Sequence, residues 1–158
     1  MFRVEERANR ENLSMIREIV ESELEQLLDL YTHLHNNQMP QITSQLLQLW
    51  EHVMKDKNHH IIVAFEDEQI VASLICVIIP NFTHQQRPYA FIENVITRED
   101  YRNRGIASKC LDYAKKIAIS ENCYKIMLLT GSKEESTLNF YKNAGYNCED
   151  KTAFIQWL

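Results

Sequence analysis

Glycine and proline are both scarce in this sequence, with three of each among 158 residues. The three glycines, Gly105, Gly131 and Gly145, all lie in the last third of the chain. Glycine is used where the backbone needs a positive φ or approaches something closely, so we expect a local reason for each one. The sequence also lacks internal repeats, low-complexity tracts and linkers, and its length is that of one domain.

Signals for export, membrane insertion and disulfide bonding are missing as well. The first twelve residues, MFRVEERANREN, are polar and contain no apolar stretch typical of a leader or a membrane anchor. The four cysteines are scattered singly, without a CxxC pair, which favours reduced thiols in the cytoplasm over disulfides or a zinc site. A net charge of −5 argues against nucleic acid or an anionic membrane as the main partner.

Hydrophobic periodicity divides the chain into short strands and amphipathic helices. We predict helices near 21–36, 43–57, 104–120 and 135–143, and strands near 15–20, 61–65, 70–79, 89–97, 124–130 and 152–157. The order β-α-α-β-β-β-α-β-α-β predicts an α/β (α+β) fold, with a mixed central sheet and helices on both faces. Residues 1–14 are interpreted as an N-terminal extension and residues 15–158 as one domain. The unit at 89–130 should be a right-handed crossover between parallel strands.

The most informative segment lies between a predicted strand and a predicted amphipathic helix and reads Arg102-Asn103-Arg104-Gly105-Ile106-Ala107-Ser108. A helix N-terminus presents unpaired N–H groups, Gly105 lets backbone approach a ligand, and the small Ala107 and Ser108 leave the amides uncovered. Residues 98–116 include six basic and three acidic side chains, a charge of +3 in a chain of −5. We therefore predict a phosphate-binding cradle. The alternative is solvated arginines beside a loop-opening glycine.

The same segment matches the [Q/R]-x-x-G-x-[G/A] signature of the GNAT superfamily of N-acetyltransferases, which the chain resembles over about residues 15–158. The run Val95-Ile96-Thr97-x-x-x-Tyr101-Arg102 resembles that family's fourth strand and loop, and Phe140-Tyr141-Lys142-Asn143-Ala144-Gly145-Tyr146 resembles part of its last helix. A P-loop is excluded by the missing GK[ST], and a dinucleotide-binding fold by the missing GxGxxG. The resemblance implies an enzyme that moves an acetyl group from acetyl-CoA to a small-molecule primary amine in a ternary complex. No metal is expected, because the histidines lack a plausible set of partner ligands.

The resemblance also implies how coenzyme A binds. The residues expected to hold its pyrophosphate, largely through backbone groups, are Arg102, Asn103, Arg104, Gly105, Ile106, Ala107 and Ser108. Backbone groups of the preceding strand would hydrogen-bond the pantetheine arm, namely those of Val95, Ile96 and Thr97. The Val95 N–H would be the oxyanion donor, where the fourth strand splays from the fifth. Thr137 or Asn139 would stand in for an asparagine of the final helix, and a homodimer is a further implication of the family.

Two side chains are candidates for the chemistry, which needs a base for the amine and a proton for the leaving thiolate. Glu93 lies in an otherwise apolar strand, where burying an unpaired carboxylate would be costly. Its carboxylate must therefore be paired, protonated or at the mouth of a cleft. Burial would suit Glu93 to the role of general base, and the alternative is a surface-facing glutamate at the strand end. The resemblance places Tyr141 near the thioester sulfur as the acid, and its alternative is a packing aromatic.

Within the superfamily, the chain most resembles glucosamine-6-phosphate N-acetyltransferases. These carry an Ile-Glu-Asp-[Val/Ile] stretch where this chain has Ile92-Glu93-Asn94-Val95, and a Cys-Tyr-Lys-Ile strand like Cys123-Tyr124-Lys125-Ile126. The chain departs from them at Asn94, which replaces the aspartate, and at Leu129-Thr130-Gly131-Ser132, which replaces a more acidic stretch. The identity of the acceptor amine is therefore left open.

The remaining polar candidates are connected to the acceptor by position alone. His84, Arg87, Tyr31 and His35 could face it, since the first helices and the loop before the fourth strand often shape the acceptor site in such folds. The simpler interpretation of each is a solvated or packed side chain. The histidine pair at 59–60 is likewise better interpreted as solvated side chains than as metal ligands. Two other classes of function stay open: a coenzyme-A-binding sensor or regulator without turnover, and a protein-interaction module with an empty cleft.

Overall fold

The computed structural model describes residues 14–34 and 38–158. Their elements, in chain order, are β1 (Met15–Glu18), α1 (Leu24–Tyr31), α2 (Ser44–Lys55), β2 (His59–Glu66), β3 (Gln69–Ile79), β4 (Tyr89–Thr97), α3 (Ile106–Ser120), β5 (Ile126–Leu128) and α4 (Glu135–Asn143). Short 3-10 turns precede α1 and follow β4. Apart from Ser14, the predicted N-terminal extension lies outside the described residues.

The strands form one mixed sheet in the order β1-β2-β3-β4-β5. The pairs β1–β2, β2–β3 and β3–β4 are antiparallel. A tight connection joins β2 to β3 and a loop joins β3 to β4, as antiparallel pairing permits. β5 runs parallel to β4, and α3 provides the crossover between them, as the pattern predicted. The mixed sheet is therefore confirmed.

Two apolar clusters cover the two faces of the sheet. On one face α3 packs against a cluster that includes Leu74, Cys76 and Ile92, which we call the α3-side core. On the other face α1 and α2 supply Leu30 and Trp50 to a second cluster, which we call the α1-side core. β3 contributes alternate side chains to each face, as its long apolar run requires. Helices on both faces are confirmed.

The predicted last strand near 152–157 is wrong. Residues 151–158 form no strand and are exposed, including Phe154 at 92% and Trp157 at 89%. A strand needs a neighbour for its N–H and C=O groups, and β5, the adjacent edge of the described sheet, is only three residues long. Alternation of apolar residues predicts a strand with one buried face, but it does not provide the neighbouring strand that must accept its hydrogen bonds.

Arg17 and Glu23 hold β1 to the turn that begins α1. The Arg17 guanidinium donates two hydrogen bonds to the Glu23 carboxylate, at 2.8 and 2.6 Å, and the Val20 N–H donates a third at 3.0 Å. The Glu23 side chain is 10% exposed. The hydrogen bond from Arg17 lowers the pKa of Glu23, against burial, which raises it. The ionised pair therefore stabilises this corner of the fold.

We expect Glu23→Gln to lower the free energy of unfolding at pH 7 by about 1.5–3 kcal/mol, the usual range for hydrogen bonds to a charged group. Because the pKa of Glu23 is lowered in the folded state, its contribution is complete above the unfolded value of about 4.3. It is lost as the pH falls through the folded value.

Urea unfolding of the wild type and Glu23→Gln at pH 7 and pH 3 measures this contribution. The difference between the two proteins should shrink at pH 3, and a difference of equal size at both would contradict the assignment. Glu51→Gln is a matched control, because Glu51 pairs with Lys55 on the exposed surface of α2 and should contribute little.

Candidate active site

The pairing of β4 with the edge strand β5 ends halfway along β4. Their register runs from Ala90 opposite Ile126 to Ile92 opposite Leu128 and ends there. β4 continues to Thr97, so its second half has no strand beside it on the β5 side among the described residues. This opening is the predicted splay between the fourth and fifth strands.

A β-bulge lies on β4 where the opening begins. In the register with β3, Glu93 is opposite Ile75 and Ile96 is opposite Ser73, so the two intervening residues of β4 share one position. The first of them, Asn94, has a φ of 51°, in the left-handed region. A bulge of this kind bends the strand and changes the direction of its groups. The backbone predicted to meet a thioester is therefore irregular here.

The predicted cradle begins α3. Gly105 is the N-cap of the helix with a φ of 73°, and Asn103 has a φ of 60°. The first turn of α3 contains no acidic residue, and no side chain caps it. A Cβ at Gly105 would meet nothing within 4 Å, so the space beside this residue is open. Uncapped first-turn amides beside open space fit a bound phosphate.

The arginines of the cradle are engaged by the protein itself. Arg102 donates from Nε to the Thr97 carbonyl at 3.2 Å, and Arg104 donates to the Asp100 carbonyl at 2.9 Å. The Arg104 guanidinium also lies 4.7 Å from the centre of the Tyr101 ring. The guanidinium groups of this segment thus already have partners within the fold. A count of charges in the sequence could not show this. The predicted phosphate contacts therefore fall mainly to the backbone amides.

Glu93 is exposed, as in the surface-facing alternative, so the burial expected to suit it to a general base is absent and that role stays a prediction. It is the first residue of β4 beyond the last β4–β5 pair, at the edge of the opening. Its neighbour in β3, Ile75, packs against the α1-side core, so the carboxylate lies on the α1 face of the sheet. Exposure keeps it accessible to water and to a small molecule.

Tyr141 lies on α4 and is half-buried against the α3-side core. Its ring makes edge contacts with Phe140 and Tyr146, with centroids 4.9 and 6.3 Å apart. Burial raises the pKa of Tyr141. The packing role considered from the sequence is therefore present, and the role of its hydroxyl as an acid stays a prediction.

The two polar candidates of α4 differ in their surroundings. Thr137 is half-buried, and its hydroxyl accepts a hydrogen bond from Ser132 at 3.2 Å. Asn139 is exposed. No residue of α4 is fully buried, so both lie on an accessible helix. Their contact with coenzyme A stays a prediction.

The predicted acceptor-facing residues separate into two groups. His84 stacks on Tyr124 with ring centres 4.0 Å apart, and Arg87 donates to the carbonyls of Asn122 and Cys123. These two side chains hold the loop before β4 against the segment before β5. Tyr31 instead places its hydroxyl in a buried position on the α1 face. His35 lies outside the described residues.

One functional candidate was missed by the sequence reasoning. Ser73 is the only hydroxyl-bearing residue of β3, and it is buried beside the bulge of β4. A single serine inside the long apolar run of β3 was a signal that could have found it. Among the described residues, no group of three or more His, Cys, Asp or Glu side chains could hold a metal ion. No described helix has the length and apolar character to cross a membrane.

The sheet, the bulge and the uncapped helix together define an acetyltransferase fold. Residues 5–146 match the model of the Acetyltransferase (GNAT) family, and the chain belongs to this family. Members of the family use acetyl-CoA as the acetyl donor. The sequence-based prediction of the fold and of the family is therefore confirmed.

The individual relatives share about a third of their residues or fewer with this chain in the aligned regions. Glucosamine 6-phosphate N-acetyltransferase of Trypanosoma brucei brucei is 30% identical over 83 residues, which are 52% of this chain and 54% of that protein. The match thus spans about half the length of that relative. A protein of Agrobacterium tumefaciens str. C58 described as an acetyltransferase has a TM-score of 0.83 and 35% identity, covering 91% of this chain and 99% of its own. A transcriptional regulator of Bacillus halodurans C-125 has a TM-score of 0.81 and 28% identity, with the same coverage.

Proposed function

We propose that this chain transfers the acetyl group of acetyl-CoA to a primary amine of a small molecule, by direct attack within a ternary complex. The observation that carries the proposal is the opening between β4 and β5, which begins at the bulge of β4. The same strand leads into the uncapped N-terminus of α3. A donor whose phosphates lie on α3 can therefore extend its thioester along the free half of β4.

Each candidate residue has a defined task in this reaction. Glu93 accepts a proton from the amine, through a water molecule, as the nitrogen attacks the acetyl carbon. The Val95 N–H stabilises the charge that develops on the carbonyl oxygen. The carbon–sulfur bond then breaks, and the Tyr141 hydroxyl donates its proton to the leaving thiolate. The products are the N-acetylated amine and the free thiol of coenzyme A.

Release of free thiol from acetyl-CoA, measured across a panel of amines, tests the proposal. The panel comprises glucosamine 6-phosphate, the substrate in the relative's name, together with polyamines, amino acids and aminoglycosides. Thiol release with at least one amine, together with the acetylated product by mass, supports acetyl transfer. Coenzyme A binding without thiol release for any amine would instead indicate a sensor. The absence of a thermal shift with acetyl-CoA would indicate a protein-interaction module with an empty cleft.

Two further parts of the proposal concern the setting of the enzyme. We place the reaction in the cytoplasm, because all four cysteines are unpaired and two of them are buried thiols. A homodimer is proposed from the family resemblance. Sedimentation of the purified chain would measure its oligomeric state directly.

We expect Tyr141→Phe to lower kcat by roughly 100-fold, the lower end of the range for general acid catalysis, with little change in coenzyme A affinity. Burial raises the pKa of Tyr141, so the acid stays protonated above the ordinary value of about 10. The kcat of the wild type should fall only beyond that pH, and this decline should be absent from the variant.

Steady-state kinetics across pH, with Tyr146→Phe as the control, measures this role. Tyr146 contacts Tyr141, and burial raises its pKa to about 12, so the control removes a comparable hydroxyl from the same corner. Its turnover should stay close to that of the wild type. Turnover that is unchanged in Tyr141→Phe at every pH would remove Tyr141 from the mechanism.

A further inference from the structure

The turn between β2 and β3, residues 66–69, contacts the segment that leads into the cradle. Tyr101 directly precedes the cradle, and its hydroxyl donates a hydrogen bond to Asp67 Oδ2 at 2.9 Å. The Gln69 side chain donates to the same hydroxyl from Nε2 at 3.2 Å. Tyr101 is 7% exposed, and its ring packs in the α3-side core. The residue before the cradle is therefore fastened both to the core and to this turn, which we call the β2–β3 turn.

A second contact joins the β2–β3 turn to the cradle itself. The side chain of Glu66 is 6% exposed, and its carboxylate accepts a hydrogen bond from Ser14 Oγ at 2.6 Å. Arg104 of the cradle places Nη1 3.6 Å from Glu66 Oε1. A buried carboxylate is costly unless it is paired with a cation and hydrogen-bonded. Arg104 provides a positive charge, and this pairing keeps its guanidinium beside the β2–β3 turn.

The backbone of the β2–β3 turn is strained. Its two central residues, Asp67 and Glu68, have φ values of 50° and 62°. A two-residue turn of this kind favours glycine at one or both positions, because a Cβ is disfavoured at positive φ. Glycine at position 67 would remove the carboxylate that accepts the hydrogen bond from Tyr101. Strained residues often occur where a side chain has a functional task, and this contact gives Asp67 such a task.

The cradle needs an external support because its own backbone is irregular. Asn103 and Gly105 are left-handed, with φ values of 60° and 73°. Left-handed residues that alternate with others turn successive N–H groups towards one anion, but only while that conformation is held. A site that is ordered before its ligand arrives binds more tightly, because binding then costs less conformational entropy. The contacts of Tyr101 and Arg104 hold the segment near its two ends.

We propose that the β2–β3 turn holds the cradle in its phosphate-binding conformation, with Asp67 and Tyr101 as positioning residues that do not touch the ligand. Arg104 braces the cradle against Glu66 and contributes to phosphate binding through its backbone. This inference rests on the coenzyme A site of the proposed function. It adds how that site is ordered, and it assigns a role to residues outside the cradle.

Calorimetric titration with coenzyme A tests the proposal on variants of the turn. Asp67→Gly removes the acceptor and suits the positive φ, and its Kd should rise about tenfold, the effect of losing one hydrogen bond. Tyr101→Phe keeps the ring beside Arg104 and should show a similar rise. Asp67→Asn keeps a side-chain oxygen for the Tyr101 hydroxyl and tolerates the left-handed φ, so it should restore nearly the wild-type affinity.

Glu68→Gly is the matched control, because it relieves strain at the adjacent position of the same turn. None of the hydrogen bonds to the Tyr101 hydroxyl comes from Glu68. This variant should keep the wild-type Kd. Steady-state kinetics should show a higher KM for acetyl-CoA in Asp67→Gly and an unchanged kcat at saturation, because the reacting groups are untouched.

The outcomes separate positioning from a purely structural role. A turn that only stabilises the fold would change the Tm of Asp67→Gly and leave its Kd for coenzyme A unchanged, and this result would overturn the inference alone. An equal loss of affinity in Glu68→Gly would mean that the shape of the turn matters rather than the Asp67 carboxylate, and it would also overturn the inference. A wild-type protein that binds no coenzyme A would overturn the proposed function and the inference together. Binding without thiol release would overturn the proposed function only.

Discussion

Replacing Glu93 with glutamine is expected to lower kcat by roughly 100-fold or more, in the range found for loss of a general base. The amide keeps the size of the side chain but cannot take a proton from the attacking amine. Glu93 is exposed at the edge of the β4–β5 opening, so the substitution should leave the fold and the coenzyme A site unchanged. The affinity for coenzyme A should therefore equal that of the wild type.

The rate of thiol release measures kcat, and calorimetric titration with coenzyme A measures the affinity. Glu121→Gln is the matched control, because Glu121 is an exposed glutamate at the distal end of α3. It removes the same charge and should keep full activity. A Glu93→Gln enzyme with the wild-type kcat at every pH would mean that another group, or water alone, deprotonates the amine.

Replacing Gly105 with valine is expected to weaken coenzyme A binding by roughly tenfold or more. A β-branched residue at a φ of 73° is strained, and such strain amounts to about 1–3 kcal/mol. The backbone can relieve that strain only by changing the conformation of residue 105, which would move the first-turn amides of α3. The new side chain would also occupy the open space beside Gly105, next to the amides expected to bind the phosphate.

Asn122→Val provides the control for strain. Asn122 follows the other end of α3 and has a φ of 57°, so valine is strained there as well, but far from the cradle. Both variants should unfold at a lower temperature than the wild type, and only Gly105→Val should lose affinity in a calorimetric titration with coenzyme A. A folded Gly105→Val protein with unchanged affinity would place the phosphates elsewhere.

The start of α3 at Gly105 could be predicted from sequence because its signal is local. Gly105 and the small residues after it stand together, and the strand and helix on either side have clear periodicity. The structure accordingly begins α3 within two residues of the predicted position. The partners of Arg98 and Arg104 could not be predicted in the same way, since Asp29 and Glu66 come from distant parts of the chain.

Non-local packing also explains the other differences. The apolar alternation near Phe154 was interpreted as a strand, but a strand requires a free edge within reach, which no sequence pattern specifies. Tyr31 packs against the sheet only because α1 crosses β3, although α2 and the whole of β2 intervene in the chain. The exposure of Glu93 depends on where β5 ends, and that short strand was predicted to be longer.

The bulge at Asn94 also determines how the second half of β4 tolerates insertions and deletions. Ala90 and Ile92 face the α3-side core, yet Ile96, at the same parity, is buried in the α1-side core. The extra residue produces this switch, because side chains alternate strictly along a regular strand. Removing one residue here would turn the apolar side chains that follow towards the wrong faces. A change in the number of residues at position 94 would therefore misplace the rest of the strand, and the left-handed φ of 51° there favours asparagine or glycine.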